Sequence, residues 1–238
     1  NEVNTTLNQC LLNGKVSISS KGKHRKLDRG TQMYQDVDWI HHDKIAYFLP
    51  RPQDVSVMND LEKGSWWRIS KQIDSSKEII IKDVFKAWIN HGESPDNETY
   101  EYIVRPNTDL LELKNKQELN PIEILSNTPY LQAVQNTSLN LIQAVFYKAN
   151  QLLVGEAFKI QATAPCILII KMNQNDQIDS ITVSDPNREL STLLLKVSKK
   201  FKKGGENFDS RWIPQEGLSE ITINLPQGNY SGKSVVIK

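Results

Sequence analysis

Two adjacent histidines, His41 and His42, lie in the run Asp38–Pro50 together with Trp39, Tyr47 and Phe48. Imidazole and phenol are the groups of general acid–base chemistry, and imidazole is also a metal ligand. The run is aromatic and β-branched, it alternates, and Pro50 stops it, so it reads as one strand. Alternation then puts Trp39, His41, Asp43, Ile45, Tyr47 and Leu49 on one face and Ile40, His42, Lys44, Ala46 and Phe48 on the other. Both faces carry large apolar groups, so the strand is expected to be covered on both sides. Histidines on opposite faces cannot hold one metal ion together. His41 and Tyr47 share a face but stand six positions apart, roughly 20 Å at ~3.3 Å per residue, too far for one proton relay. The structural reading is the stronger one: each histidine is hydrogen-bonded inside a sheet stack.

The remaining candidates are basic or aromatic. Lys21–Arg29 reads as a basic loop that could touch an anionic sugar chain, or as a solvated loop tip. Lys199-Lys200-Phe201-Lys202-Lys203 is the densest positive charge, followed by Gly204-Gly205. It suits sulfates and carboxylates, and equally a charged hairpin tip that blunts a sheet edge. Trp66-Trp67 offers a sugar-stacking platform, but neighbours on a strand face opposite ways, so at most one can stack. There is no glycine-rich phosphate loop, no paired Cys-x-x-Cys and no nucleophile elbow. The acidic loops Asp74–Lys77 and Ser94–Glu98 lack the spacing of a calcium loop. No metal or cofactor is expected.

The 238 residues carry a net charge of +1, which gives no wide basic face for nucleic acid. No apolar run is long enough to span a membrane as a helix. Cys10 and Cys166 sit in apolar surroundings and read as buried thiols rather than a disulfide framework. The Asn-x-Ser/Thr triplets at Asn4, Asn97, Asn136 and Asn229 matter only in a eukaryotic secretory host. Asn1 is not an initiator Met, so a mature or cut chain is expected.

The elements that must position these groups are strands. Val3–Leu12 reads as a strand, Asn13-Gly14 as a hairpin turn and Val16–Ser20 as the return strand. After the Asp38–Pro50 strand come Val55–Met58, Trp66–Ile69, Ile79–Ile81, Val84–Ile89 and Tyr100–Val104. Asp109 with Glu112 has capping-box spacing and Pro121 suits the start of another helical turn, so 109–128 reads as a short helical connector. Strands then recur about every ten residues: Leu131–Val134, Leu139–Tyr147, Gln151–Phe158, Cys166–Lys171, Ser180–Val183, Leu190–Val197, Glu220–Leu225 and Ser234–Ile237. That spacing predicts an antiparallel sandwich and not a parallel α/β sheet.

Four segments together resemble polysaccharide lyase family eight, the chondroitin AC, hyaluronate and xanthan lyases. They are Trp39-Ile40-His41-His42-Asp43-Lys44-Ile45-Ala46-Tyr47-Phe48-Leu49-Pro50, Gly64-Ser65-Trp66, Trp88-Ile89-Asn90-His91-Gly92 and Tyr100-Glu101-Tyr102-Ile103-Val104-Arg105-Pro106, in the family's order. Ala46 stands where the family often has Gly. Ile124–Thr128, Gln132–Val134, Pro165-Cys166 and Ser184-Asp185-Pro186 extend the likeness over nearly the whole chain. The resemblance implies an all-β fold: 1–108 as the latter part of a large stacked-sheet (supersandwich) domain, 109–128 as connector and 129–238 as a small C-terminal β-sandwich.

It also implies a chemistry. Such lyases cleave uronic acid-containing polysaccharide by β-elimination, which needs a base for the C5 proton, neutralisation of the substrate carboxylate and an acid for the leaving oxygen. In the family those groups lie in an N-terminal helical toroid and early in the large β domain. Accordingly no catalytic residue is carried over, and no substrate-binding residue is assigned; His41, His42, His91 and Tyr47 match sheet motifs. The implied partners are the N-terminal α/α-toroid and upstream β segment of a parent chain, and an anionic polysaccharide such as chondroitin or hyaluronan. The implied setting is secreted or periplasmic and bacterial. The alternative is a free-standing carbohydrate-binding or structural β-sandwich module.

Overall fold

The computed structural model describes residues 1–114 and 121–238, with the backbone alone at Lys114. The chain divides into two compact units, Asn1–Lys116 and Gln117–Lys238. All strand pairs are antiparallel.

The first unit holds one seven-stranded sheet. Its strands are β1 (Glu2–Leu11), β2 (Ser17–Ser20), β3 (Lys23–Lys26), β4 (Gly30–His42), β5 (Ile45–Gly64), β6 (Ile80–Glu93) and β7 (Ile103–Arg105). The order is β1-β6-β5-β4-β2-β3, with β7 also paired to β5. The core face collects Ile18, Val37, Ile40, Tyr47, Val55, Val57, Phe85 and Ala87, all nearly inaccessible. Fully burying such side chains stabilises the fold by about 1.5–3 kcal/mol each.

The predicted strand Asp38–Pro50 is in fact a hairpin. β4 ends at His42, β5 starts at Ile45, and Asp43 and Lys44 turn with φ of 47° and 61°. Two consecutive left-handed residues make the turn whose twist fits a two-residue hairpin. Asp43-Lys44 lacks the glycine that announces such a turn, and so it reads as strand. Nor does Pro50 end the strand. Val37 pairs with Gln53 and Trp39 with Phe48, so Leu49–Pro52 bulge out against Asp38 alone. Pro50 and Pro52 sit where the ladder asks for no N–H, the place a strand tolerates them.

Other local expectations also change. Asn13-Gly14 does not form a hairpin, because β1 pairs with β6 and β2 pairs with β3 and β4. The basic segment after Ser20 is not all loop, since Lys23–Lys26 is the edge strand β3. Trp66–Ile69 is a single helical turn, α1, not a strand. Glu112–Lys114 forms a 3-10 turn, with the Glu112 N–H bonded to Asp109 O at 3.0 Å. Asn115–Asn120 of the expected helix lie outside the described residues. Ile122–Asn127, expected to be helical, is strand β8, paired with Leu131–Asn136.

The second unit is a sandwich of two six-stranded sheets. One runs β19 (Val235–Ile237), β14 (Ile178–Ser184), β13 (Cys166–Met172), β10 (Leu141–Phe146), β9 (Leu131–Asn136) and β8. The other runs β11 (Asn150–Val154), β12 (Phe158–Ala162), β15 (Thr192–Val197), β18 (Leu218–Asn224), β17 (Phe208–Ile213) and β16 (Gly204–Gly205). Gln151–Phe158, read as one strand, is the β11–β12 hairpin turned at Gly155. Strict alternation builds the core: Cys166, Leu168, Ile170 and Met172 meet Phe158, Ile160, Leu193, Leu195, Ile221 and Ile223.

Candidate functional site

The β4–β5 hairpin decides what the histidines do. Cross-strand partners share a face, and the pairs are His42–Ile45, His41–Ala46, Ile40–Tyr47 and Trp39–Phe48. His42 and Tyr47 therefore lie on the core face, and His41 on the other. This reverses the pairing expected for a single strand, which put His41 with Tyr47.

His42 is 1% exposed and stacks on Phe85 with ring centroids 4.4 Å apart. Its Nε2 accepts the Asn13 backbone N–H at 3.0 Å, so in the neutral ring the proton is on Nδ1, facing Cys10 Sγ at 3.8 Å. Burial, chiefly, holds its pKa below the ordinary imidazole range. Protonation of Nε2 would also break the bond from Asn13. Tyr47 is buried, its hydroxyl bonded to the Asn8 amide, and burial pushes its pKa up. Asn8, Cys10 and Asn13 come from β1 and the turn after it. No sequence pattern connects them with the hairpin, because β1 reaches it only through the sheet.

His41 holds the opposite tautomer. Its Nε2 lies 2.8 Å from the Thr108 carbonyl oxygen, which can only accept, so Nε2 carries the proton. Thr108 N–H in turn donates to Lys44 O at 2.8 Å, and the chain after β7 is thus tied to the hairpin turn. His91 bonds Thr5 Oγ1 at 2.8 Å and leans on Tyr100. Burial raises the Cys10 thiol pKa, with Asp43 adding to it, and pushes Cys166 up to about 12, so neither is a ready thiolate. The three histidines of these motifs and Tyr47 are all occupied in holding the sheet.

Trp67 lies under the Lys77 ammonium, 4.8 Å from its ring centre. Trp66 is 59% exposed and lines an open groove with Leu11, Ile69, Ile80 and Val84. Lys199–Lys203 is not a hairpin tip. It leads from β15 across to the far edge strand β16, passing β18, whose buried Ser219 hydroxyl donates to Lys199 O at 2.9 Å and accepts Phe201 N–H at 3.0 Å. Lys199 reaches Asp176, and Lys200 and Lys202 lie over the rings of Trp212 and Phe208. Among the described residues no group of three or more His, Cys, Asp or Glu is placed to hold a metal.

Residues 1–117 match the model of the polysaccharide lyase family 8 super-sandwich domain, and residues 123–193 that of the family's C-terminal beta-sandwich domain. The chain belongs to polysaccharide lyase family 8. It is 34% identical over 236 residues to the Chondroitinase-AC of Pedobacter heparinus, covering 99% of this chain and 31% of that one. It is 28% identical over 242 residues to the hyaluronate lyase HylB of Enterococcus faecalis, covering 99% of this chain and 23% of that one. A solved chondroitinase AC lyase, studied in oligosaccharide complexes, superposes with a TM-score of 0.82 at 32% identity, over 99% of this chain and 32% of that one. A Paenibacillus xanthan lyase gives 0.81 at 20% identity, over 99% and 23%, and shares the fold. The chain thus spans about a third or less of these relatives' lengths. The family motif around His42-Asp43 is now explained as a hairpin: one histidine packs the core, the other ties down the chain after β7.

Proposed function

We propose that this chain is the C-terminal β portion of a lyase that cleaves chondroitin- or hyaluronan-type polysaccharide by β-elimination, and that it carries none of the groups of that reaction. The observation that carries the reading is identity to a chondroitinase over 99% of this chain but 31% of the relative. The occupied state of His41, His42, His91 and Tyr47 supports the second half: each of these four groups already has a structural hydrogen-bond partner. The base for C5, the neutralising partner of the uronate and the acid for the leaving oxygen then belong to upstream parts of a parent chain, a helical toroid and the first part of the large sheet domain. In this reading the parent works outside the cytoplasm of a bacterium, where long glycans are met.

The test is direct. The unsaturated sugar left by elimination absorbs at ~232 nm, because the new double bond, formed as C5 loses its proton and the glycosidic oxygen leaves, is conjugated with the carboxylate that C5 already carries. The purified chain is expected to produce no absorbance change with chondroitin or hyaluronan. A longer parent containing it is expected to turn over at least one of them. Clear turnover by the 238-residue chain alone would overturn the non-catalytic reading.

A further inference from the structure

Strand β3 presents Lys23, His24, Arg25 and Lys26, all exposed, and its end borders a pocket of about 190 Å³. One cross-strand pair forms part of its wall. Asn59 of β5 stands opposite Gly30 of β4, and paired residues share a face. Gly30 has φ of 130°, which disfavours any side chain, and a Cβ there would meet nothing within 4 Å. The missing side chain leaves open space beside Asn59. Asn59 is 6% exposed, lines the pocket, and its carboxamide makes no hydrogen bond among the described residues. Its amide atoms are not among the fully buried unpartnered ones, so they reach the cavity, and their partners have to come from outside the protein. Here the cavity is where a ligand's hydroxyls would supply them.

The rest of the lining divides by chemistry. Tyr34 hydroxyl donates to Gln32 Oε1 at 3.2 Å, which leaves the Gln32 NH₂ free to donate elsewhere. The Arg25 guanidinium lies over the Tyr34 ring, 5.3 Å from its centre. Arg29 is engaged by Asp60 and Asp83, whereas Arg25 makes no ion pair among the described residues. Lys26 pairs with Ser17, which pairs with His41, so its side chain is on the opposite face. Against the two arginines the lining sets one carboxylate, Asp28. The volume lies below the ~300–1,000 Å³ of sites for drug-sized ligands and suits a single ring.

We propose that this pocket binds one acidic saccharide unit, its carboxylate or sulfate against Arg25 and its hydroxyls against Asn59, Gln32 and Tyr34. The name of the ligand rests on the polysaccharide reading above. The choice of a charged over a neutral sugar rests on the lining alone.

Calorimetric titration of the 238-residue chain tests it, with hexasaccharides of hyaluronan and of chondroitin sulfate and with neutral maltohexaose. At least one acidic hexasaccharide is expected to bind at low salt, at least tenfold tighter than the neutral one. The variant Arg25→Ser, at an exposed position, is expected to stay folded and lose at least tenfold in affinity. Asn59→Asp, which sets a like charge against the ligand, is expected to lose as much. Equal binding by wild type and the folded Arg25→Ser variant, equal binding of maltohexaose, or no binding of either acidic hexasaccharide would overturn the pocket. A parent inactive on both glycans, with pocket binding intact, would overturn only the reaction proposed above. An active parent with binding indifferent to Arg25→Ser would overturn only the pocket.

Discussion

His41 and His42 are neighbours in sequence with opposite protonation patterns, because one ring donates to a carbonyl and the other accepts from an N–H. The cost of losing each is set by what is left behind. His42→Ala strands the Asn13 N–H and empties the space beside Phe85, so a loss of roughly 1–3 kcal/mol is expected from the orphaned donor, with a cavity cost added. The His42 pKa is depressed on folding, so the unfolded chain takes up a proton first as pH falls. Its contribution is present in full above the ordinary imidazole value of about 6.5 and is lost as pH drops through the folded value. Denaturant midpoints of wild type and His42→Ala, measured at several pH values from 8 down to 5, are expected to differ most at the top of that range and to converge below ~6.5. A constant difference would show that the ring titrates alike in the native and unfolded states and that folding does not lower its pKa.

At the scale of elements the hairpin turn carries strain that its residues do not relieve. Asp43 and Lys44 both sit at positive φ, and Lys44 gains nothing local from being there. Replacing it by Gly is expected to stabilise the chain by about 0.5–1 kcal/mol, since a left-handed L residue costs roughly 1–2 kcal/mol and glycine's extra unfolded-state entropy returns part of that. A raised urea midpoint with an unchanged slope is the expected measurement; a lowered midpoint would mean that the Lys44 side chain holds the turn. Asp185 shows the opposite case, a turn whose residue fits. Its buried carboxylate accepts the N–H groups of Asn187, Glu189 and Leu190 at 2.7–2.9 Å. Burial raises its pKa, but the bonds from Leu190, Glu189, Asn187 and Arg188 outweigh that and leave it below the usual carboxylate value.

For the molecule as a whole, the question is where an anionic glycan would touch. Charge density alone points to Lys199–Lys203, yet the structure uses these residues as a brace across the end of a sheet. Exposed single contacts there are worth at most ~1 kcal/mol and are screened by salt. Weak attraction of chondroitin sulfate that disappears near physiological ionic strength is therefore expected. A variant with Lys199, Lys200, Lys202 and Lys203 changed to Ser is expected to lose that attraction and to keep the binding assigned to the Arg25–Asn59 pocket. Salt-resistant binding abolished by this variant would move the glycan contact to the second unit. The contrast between the two basic segments is one of surroundings. Lys199 is spent on Asp176, while Arg25 edges a cavity with an unpaired amide at its wall.

Class of fold and family were legible from the chain alone, because both depend on short-range pattern. Alternation marks the inward residues of β12, β13, β15 and β18 whatever their partners are, and the four motif segments carry their identity in local spacing. Partnership was not legible. Asn13-Gly14 has the strongest hairpin chemistry in the first unit and closes no hairpin, because β1 gains a longer register against β6 than β2 could offer. Asp43-Lys44 lacks that chemistry and turns, because the pairs Ile40–Tyr47 and His42–Ile45 bury four large side chains on the core face or beside it. Pro50 and Pro52 do not break β5, since the register slip beside Val37 removes the demand for their N–H. The same long-range pairing brings Asn8, Cys10 and Asn13 to Tyr47 and His42, and Gly30 to Asn59. Local propensity is worth tenths of a kcal/mol to about one per residue, and burial of a large apolar side chain is worth more. Where the two disagree, tertiary packing chooses the turn, and with it which side chains meet.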